Sequence, residues 1–275
     1  MFINILTKSL NGEVMDKLRF LVETYLDYQK DRIRLENRLR SLPSELAEET
    51  FFKALAKDAH ELEKQVAQEI SRELENEPLW VNYLSRINGI GPTLAAYLIA
   101  WLCRNRTVKI WKRKKSITLP PYAKVIEDTK TYTIIEMPPV FDVAANPSKI
   151  HKYCGLSPGS KKTKGEKITY NPKLKTLCWK IMRQLLMLDA RGVPIKYAEL
   201  FRKEKAEYDK RCPQPEKGSR KLKVHRTTVK IVMRIFMTNL WVTYRRQKGL
   251  SLTVPYPTLL GQKHKIYTPE ELLDK

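Results

Sequence analysis

The sequence predicts a mostly α-helical fold: an N-terminal antiparallel helical hairpin, then a basic helical domain interrupted by one small β-ribbon. Three observations carry that expectation. Apolar residues recur at helical spacing over most of the chain, proline and glycine fall near the ends of those periodic runs, and β-prone residues cluster only within residues 105–146.

The first periodic run extends from Glu13 to Leu42, with Val14, Leu18, Leu21, Val22, Tyr25, Tyr28, Ile33, Leu35 and Leu39 set among charges of both signs. Pro43 breaks it, because proline removes a helical donor and disfavours helix in the residue before it. Ser44 then offers an N-cap for a second helix reaching about Asn76. Two such helices joined by a short turn form a coiled-coil-like arm over residues 1–77. Its charged faces suit solvated surface, and pairing of two copies into a homodimer is the sharper use of such an arm.

From residue 78 to 250 the pattern is that of a second domain. Pro78 opens a helix running to Ile87, Gly89 to Gly91 break it, and Pro92 starts another that carries Leu94, Ala95, Ala96, Leu98, Ile99 and Leu102. Within the insertion 105–146, Thr107–Trp111 and Tyr132–Ile135 read as strands, and Lys112–Lys115 and Pro120–Pro121 read as loop. A short helix after Pro147 leads into Tyr153–Pro158 and a Lys/Gly-rich loop from Gly159 to Asn171. Helices are expected at 172–190, 194–211 and 219–248, and residues 251–275 form an irregular C-terminal strap.

Charge narrows the partner class. The chain holds 52 Lys and Arg against 30 Asp and Glu, a formal +22, and the surplus is uneven. Residues 1–80 carry 12 cations against 16 anions, which leaves 40 against 14, or +26, for residues 81–275. A surplus of that size attracts polyanions without regard to sequence, so DNA, or alternatively structured RNA, is the expected partner. No run approaches the ~20 apolar residues of a membrane-spanning helix, and Met1 opens no recognisable leader, so a cytoplasmic setting without membrane contact is expected. Cys103, Cys154, Cys178 and Cys212 lack paired metal spacing. A zinc set drawn from His151, Cys154, Cys178, Cys212 and His225 matches no known module, and Asp142, Asp189 and Asp209 each stand alone among cations. The expectation is no metal and no cofactor.

The segment Ile87-Asn88-Gly89-Ile90-Gly91-Pro92-Thr93-Leu94-Ala95 has the form of a helix-hairpin-helix. Glycines at 89 and 91 permit unusual backbone angles and let a phosphate approach the main chain. The amides of Gly91 to Leu94, apart from proline, are then free at a helix start whose dipole favours an anion. Gly89, Ile90, Gly91 and Thr93 are therefore the expected backbone-binding residues, with Ile87, Ile90, Ala95 and Leu98 packing the helices. The plain alternative is a glycine turn between two core helices, and the adjoining charge argues for binding. Lys112, Arg113, Lys114 and Lys115 beside Trp111, and Lys161, Lys162, Lys164 and Lys167 in the later loop, are the basic candidates. In the stretch Arg220–Arg246, Trp241 and Tyr244 are expected on the buried side of a helix.

These motifs in this order resemble the C-terminal half of insertion-sequence transposases of the 110/116/902 family. The likeness runs over residues 80–190: Ile87 to Ala95, then Tyr153-Cys154-Gly155-Leu156-Ser157-Pro158, the Lys161–Lys167 loop, and Lys173-Leu174-Lys175-Thr176-Leu177. The resemblance implies a recombinase in which an N-terminal nuclease-like domain supplies acidic magnesium ligands and a C-terminal serine, guided by structured RNA, acts as nucleophile. Here the arm starts near Glu13, so the acidic domain is expected to be absent and magnesium to enter only with an acidic partner. Ser160 is the serine nearest the family position, and Thr163 lies closer to it. A hydroxyl nucleophile needs a base or metal to activate it, and the sequence identifies neither. The expected function is DNA binding by a transposase-like domain. The alternatives are an active transposase using a hydroxyl of the 157–165 loop with a partner chain or guide RNA, and a structured-RNA-binding or dimeric scaffold protein.

Overall fold

A computed structural model describes residues 16–43, 50–112, 119–158, 160, 165, 168–213, 219–253 and 267–275. It has the mostly helical fold with one small antiparallel sheet that the periodicity predicts. The chain divides into two compact units, residues 1–77 with 95–138 and residues 78–94 with 139–275. A division falls between Glu77 and Pro78, as expected, but none falls at 251, and residues 95–138 leave the expected second domain. The β segment groups with the arm, and the described part of the strap groups with the helical unit, because long-range packing rather than chain order defines a compact body.

In the first unit, helices α1 (Lys17–Arg40) and α2 (Thr50–Leu74) lie antiparallel. Lys17 Nζ reaches Glu73 at 2.7 Å, and further along α1 Arg32 pairs with Glu63, so ascending numbers on one helix meet descending numbers on the other. Burial would raise the Glu63 carboxyl, but hydrogen bonds from Arg32 and Gln29 outweigh it and hold the group below the ordinary carboxylate range. Leu18, Val22, Ile70 and Leu74 are buried towards one end of the pair, whereas Ile33, Phe51, Leu55 and Leu62 are exposed. A two-helix arm is too thin to cover both sides of its apolar stripe, so its core exists only where a third element adds cover. That element is the Ala95–Leu102 stretch of α4 (Pro92–Leu102), buried at every position, with the Arg19 guanidinium 4.2 Å over the Trp101 ring.

Strands β1 (Arg106–Trp111), β2 (Lys124–Asp128) and β3 (Tyr132–Met137) pair in the order β1-β3-β2, all antiparallel. The sequence marks no strand between Trp111 and Tyr132, and β2 is an addition to that reading. All five of its residues are exposed, so no face is buried to imprint an alternating pattern. Pairing with β3, across an irregularity between Val125 and Glu127, makes it a strand.

The second unit holds α3 (Pro78–Asn82), a 3₁₀ turn (Leu84–Arg86), the first residues of α4, and then α5 (Val140–Val143), α6 (Pro147–Tyr153), α7 (Pro172–Asp189), α8 (Lys196–Arg211) and α9 (Arg220–Gln247). The helix expected over 78–87 breaks at Tyr83, whose backbone (φ −138°, ψ −66°) turns its ring into the core, where its hydroxyl lies 2.9 Å from that of Tyr197. Asn171 starts α7 by accepting from the Lys173 and Leu174 amides at 3.0 and 3.2 Å, with Pro172 at the first helical position. Helix α8 begins at Lys196 rather than at Pro194, since the Pro194 carbonyl accepts from the Asn88 side chain and Ile195 is extended. Helix α9 is the central strut. Val232, Met233, Phe236, Met237 and Leu240 are buried along it, Trp241 Nε1 donates to the Ala144 carbonyl at 3.2 Å, and Tyr244 donates to Asp142 at 2.8 Å. The two aromatics thus face the core, as their helical spacing suggests.

Helix α6 places His151 Nε2 at 3.1 Å from the Arg234 carbonyl and 3.0 Å from Thr238 Oγ1 of α9. Burial, assisted by the Arg234 charge, pushes the imidazole down to about 4. The fold therefore keeps His151 neutral, while the unfolded chain takes up a proton below its ordinary value of 6.5. Stability from this site is complete above pH 6.5 and is lost as pH falls towards 4, by at most about 3 kcal/mol. Urea midpoints measured across that window should fall more steeply for the wild type than for His151→Gln. Identical slopes would show that the site does not titrate with folding.

Candidate nucleic-acid interface

The two glycines of the hairpin have different jobs. Ile90 N–H donates to the Ile87 carbonyl at 3.1 Å, which closes the turn between the 3₁₀ segment and α4. Gly89 sits at φ +92°, where an added Cβ would lie 2.9 Å from Leu188 Cδ1 and 3.1 Å from Leu185 Cδ2. Its missing side chain is required by left-handed backbone and by the packing of α7. At Gly91 an added Cβ would meet nothing within 4 Å. The expectation that both glycines clear a path for a phosphate is therefore corrected: Gly89 faces α7, and Gly91 alone has the open flank.

Ile87 and Ile90 are buried, as are Ala95 and Leu98, so Ile90 can offer a ligand only its backbone. Pro92 begins α4, and the amides of the first turn of a helix have no carbonyl to reach within it. The Thr93 and Leu94 amides are in that position. Among the described residues Gly91 N–H likewise donates to no main-chain carbonyl.

The far end of the chain fixes this turn. One Asp274 oxygen accepts the Asn88 amide at 2.8 Å, and the other accepts the Lys196 amide at 2.8 Å. Asp274 N–H returns to the Arg86 carbonyl at 3.0 Å, and the Arg86 guanidinium donates to the Lys275 carbonyl at 2.7 and 3.0 Å. Asp274 thus ties the hairpin to the start of α8 and brings the exposed Arg86 and Lys196 to the turn. Exposed Arg191 follows α7, whose Leu185 and Leu188 abut Gly89. Among the described residues neither Arg191 nor Lys196 forms an ion pair, so both charges are open to a ligand. Helix α7 adds exposed Lys173, Lys180 and Arg183 opposite buried Leu174, Leu177, Ile181 and Leu185.

Other expected residues fare differently. Lys112 pairs with Asp128 at 2.7 Å, and its hydrogen bond holds that carboxyl below the ordinary range, so its charge is already matched. Lys112 belongs to the first unit and the Gly89–Thr93 turn to the second. Arg113, Lys114, Lys115, Lys161, Lys162, Thr163, Lys164 and Lys167 lie outside the described residues. The Ser160 carbonyl accepts from Lys175 Nζ at 2.9 Å, and among the described residues no histidine or carboxylate bonds its hydroxyl. Gly155 of the Tyr-x-Gly-Leu segment sits at φ +67° against the Tyr170 ring, a role in packing. The buried thiols of Cys154 and Cys178 are neighbours, and the hydrogen bond between them, with burial, pushes the Cys154 thiol well up. Among the described residues no three His, Cys, Asp or Glu side chains gather to hold a metal ion, and no helix is long and apolar enough to cross a membrane.

Arg86, Arg191, Lys196 and Asp274 were not singled out by the motifs. Asp274 acts on a backbone amide 186 residues away, and one aspartate near a chain's end carries no local mark of such a role. Comparison with family models, with curated proteins and with solved structures gives no match to this chain.

The glycines can be separated by experiment. Gly89→Ala should cost about 1–3 kcal/mol in chemical denaturation, from left-handed backbone and contact with Leu188. Gly91→Ala should stay within about 0.5 kcal/mol of wild type. Equal losses at the two positions would contradict the assignment of packing to one and openness to the other.

Proposed function

We propose that the chain binds nucleic acid, with duplex DNA as its principal ligand, by seating a backbone phosphate at the Gly91, Thr93 and Leu94 amides. The observation that carries this reading is the open flank of Gly91 at a helix start, beside exposed Arg191 and Lys196, neither of which forms an ion pair among the described residues. An anion there gains amide hydrogen bonds and the favourable end of the helix dipole. Arg86, Arg191 and Lys196 then neutralise flanking phosphates, and the +26 of residues 81–275 supplies long-range attraction. Such contacts fix position on the duplex and read no bases.

The order of motifs shared with the 110/116/902 transposases supports a role on mobile DNA. Binding is better supported than strand cutting, because a hydroxyl nucleophile requires activation and Ser160 has no base among the described residues.

Three neutralised phosphates give a logarithmic salt slope of about −2.7, so affinity for a duplex should fall roughly 40-fold between 50 and 200 mM monovalent salt. Gly91→Asp should weaken binding to unrelated duplex sequences alike, and Lys196→Ala should flatten the slope by about 0.9. Fluorescence anisotropy measures all three. Salt-independent binding, or a loss confined to one sequence, would overturn the reading.

A further inference from the structure

We infer that the outward face of the three-stranded sheet is a stacking platform for an unpaired base of single-stranded nucleic acid. Residues alternate across a strand, and buried Thr133 and Ile135 mark one face of β3 as inward. Tyr132 and Ile134 occupy the other face. Their register partners there are Trp111 and Lys109 on β1, and Glu127 opposite Ile134 on β2.

On this outward face Trp111 is 59% exposed, an unusual placement for the largest apolar side chain. It is also held in a defined geometry. Its ring meets that of Tyr132 edge-on, with centroids 5.7 Å apart and planes at 72°. Lys109 Nζ lies 4.6 Å from the Trp111 centroid and 3.7 Å from that of Tyr132. The Tyr132 hydroxyl donates to Glu127 Oε1 at 2.8 Å, which fixes the second ring. The indole thus gives little cover to the sheet, yet it is oriented by a ladder, a cation and a neighbouring ring before any ligand arrives.

Charge selects the occupant. Among the described residues of 106–137, five Lys and Arg (Arg106, Lys109, Lys112, Lys124 and Lys130) stand against three Asp and Glu. All three acids are engaged internally: Asp128 with Lys112 and Thr133, Glu127 with Tyr132, and Glu136 with Asn105 Nδ2 at 2.9 Å. Cations in excess around an exposed indole fit a phosphate-linked strand whose bases are free to stack. Bases inside a duplex are already stacked and cannot use the ring. This platform lies in the first unit and the Gly91 turn in the second, so the two readings fail separately.

The test uses the full chain in fluorescence anisotropy with labelled oligo(dT), oligo(rU) and a duplex. Trp111→Ala should weaken single-strand binding about tenfold and leave duplex binding unchanged. Trp111→Leu, which keeps apolar bulk on the strand without an aromatic face, should show the same loss, and Trp111→Phe should retain most of the affinity. Loss with both oligonucleotides identifies the unpaired base as the shared ligand, and loss with one narrows it to that kind of strand. Trp111→Leu binding as tightly as Trp111→Phe, or an equal loss on duplex, overturns the inference.

Discussion

The left-handed backbone at Gly89, pressed against Leu185 and Leu188, is the constraint on which the second unit's surface depends. With no Cβ at this point, the hairpin backbone can lie directly on α7. The Asp274 carboxylate then joins the Asn88 amide to the Lys196 amide, so hairpin, α8 start and C-terminal residues become one fixture. The open flank at Gly91 follows from that arrangement. One glycine seats the turn, and the other remains available to whatever approaches it.

A chain with this much positive charge must also keep cations from destabilising its interior. Its acids are used sparingly: Asp189 pairs with Arg202, Asp209 with Arg220, and Asp142 accepts from Tyr244. Arg245, buried on α9, satisfies its guanidinium with the carbonyls of Phe141 and Asp142 rather than with a carboxylate. His151 avoids the cost of a buried charge by remaining neutral beside Arg234. With the interior settled in this way, the remaining surplus lies on the solvent side, where a polyanion can reach it. The exposed Lys180 and Arg183 of α7 are examples, placed opposite that helix's buried leucines.

The sheet obeys a different logic. A three-stranded ribbon has two faces and cannot bury both, so an outward face should carry polar residues unless something else is meant to cover it. Here that face carries Trp111 and Tyr132, braced by Lys109 and Glu127. The bracing costs side-chain freedom that solvent exposure does not require. The stacking role inferred above would give that arrangement a use.

Much of the architecture was legible in the sequence. Helical spacing marked α1, α2, α7 and α9, Asn171 with Pro172 marked a helix start, and β-branched residues marked β1 and β3, because these signals act within a few residues of the element they specify. The hairpin motif was legible for the same reason. What only tertiary structure decided were features set by partners distant along the chain. They are the break at Tyr83 that meets Tyr197, the strand β2 held by pairing alone, the reach of Asp274 back to Asn88, and the unequal duties of Gly89 and Gly91. Two glycines in one short motif have the same local chemistry. Which of them packs and which stays open depends on where α7 passes, and no local pattern encodes that path.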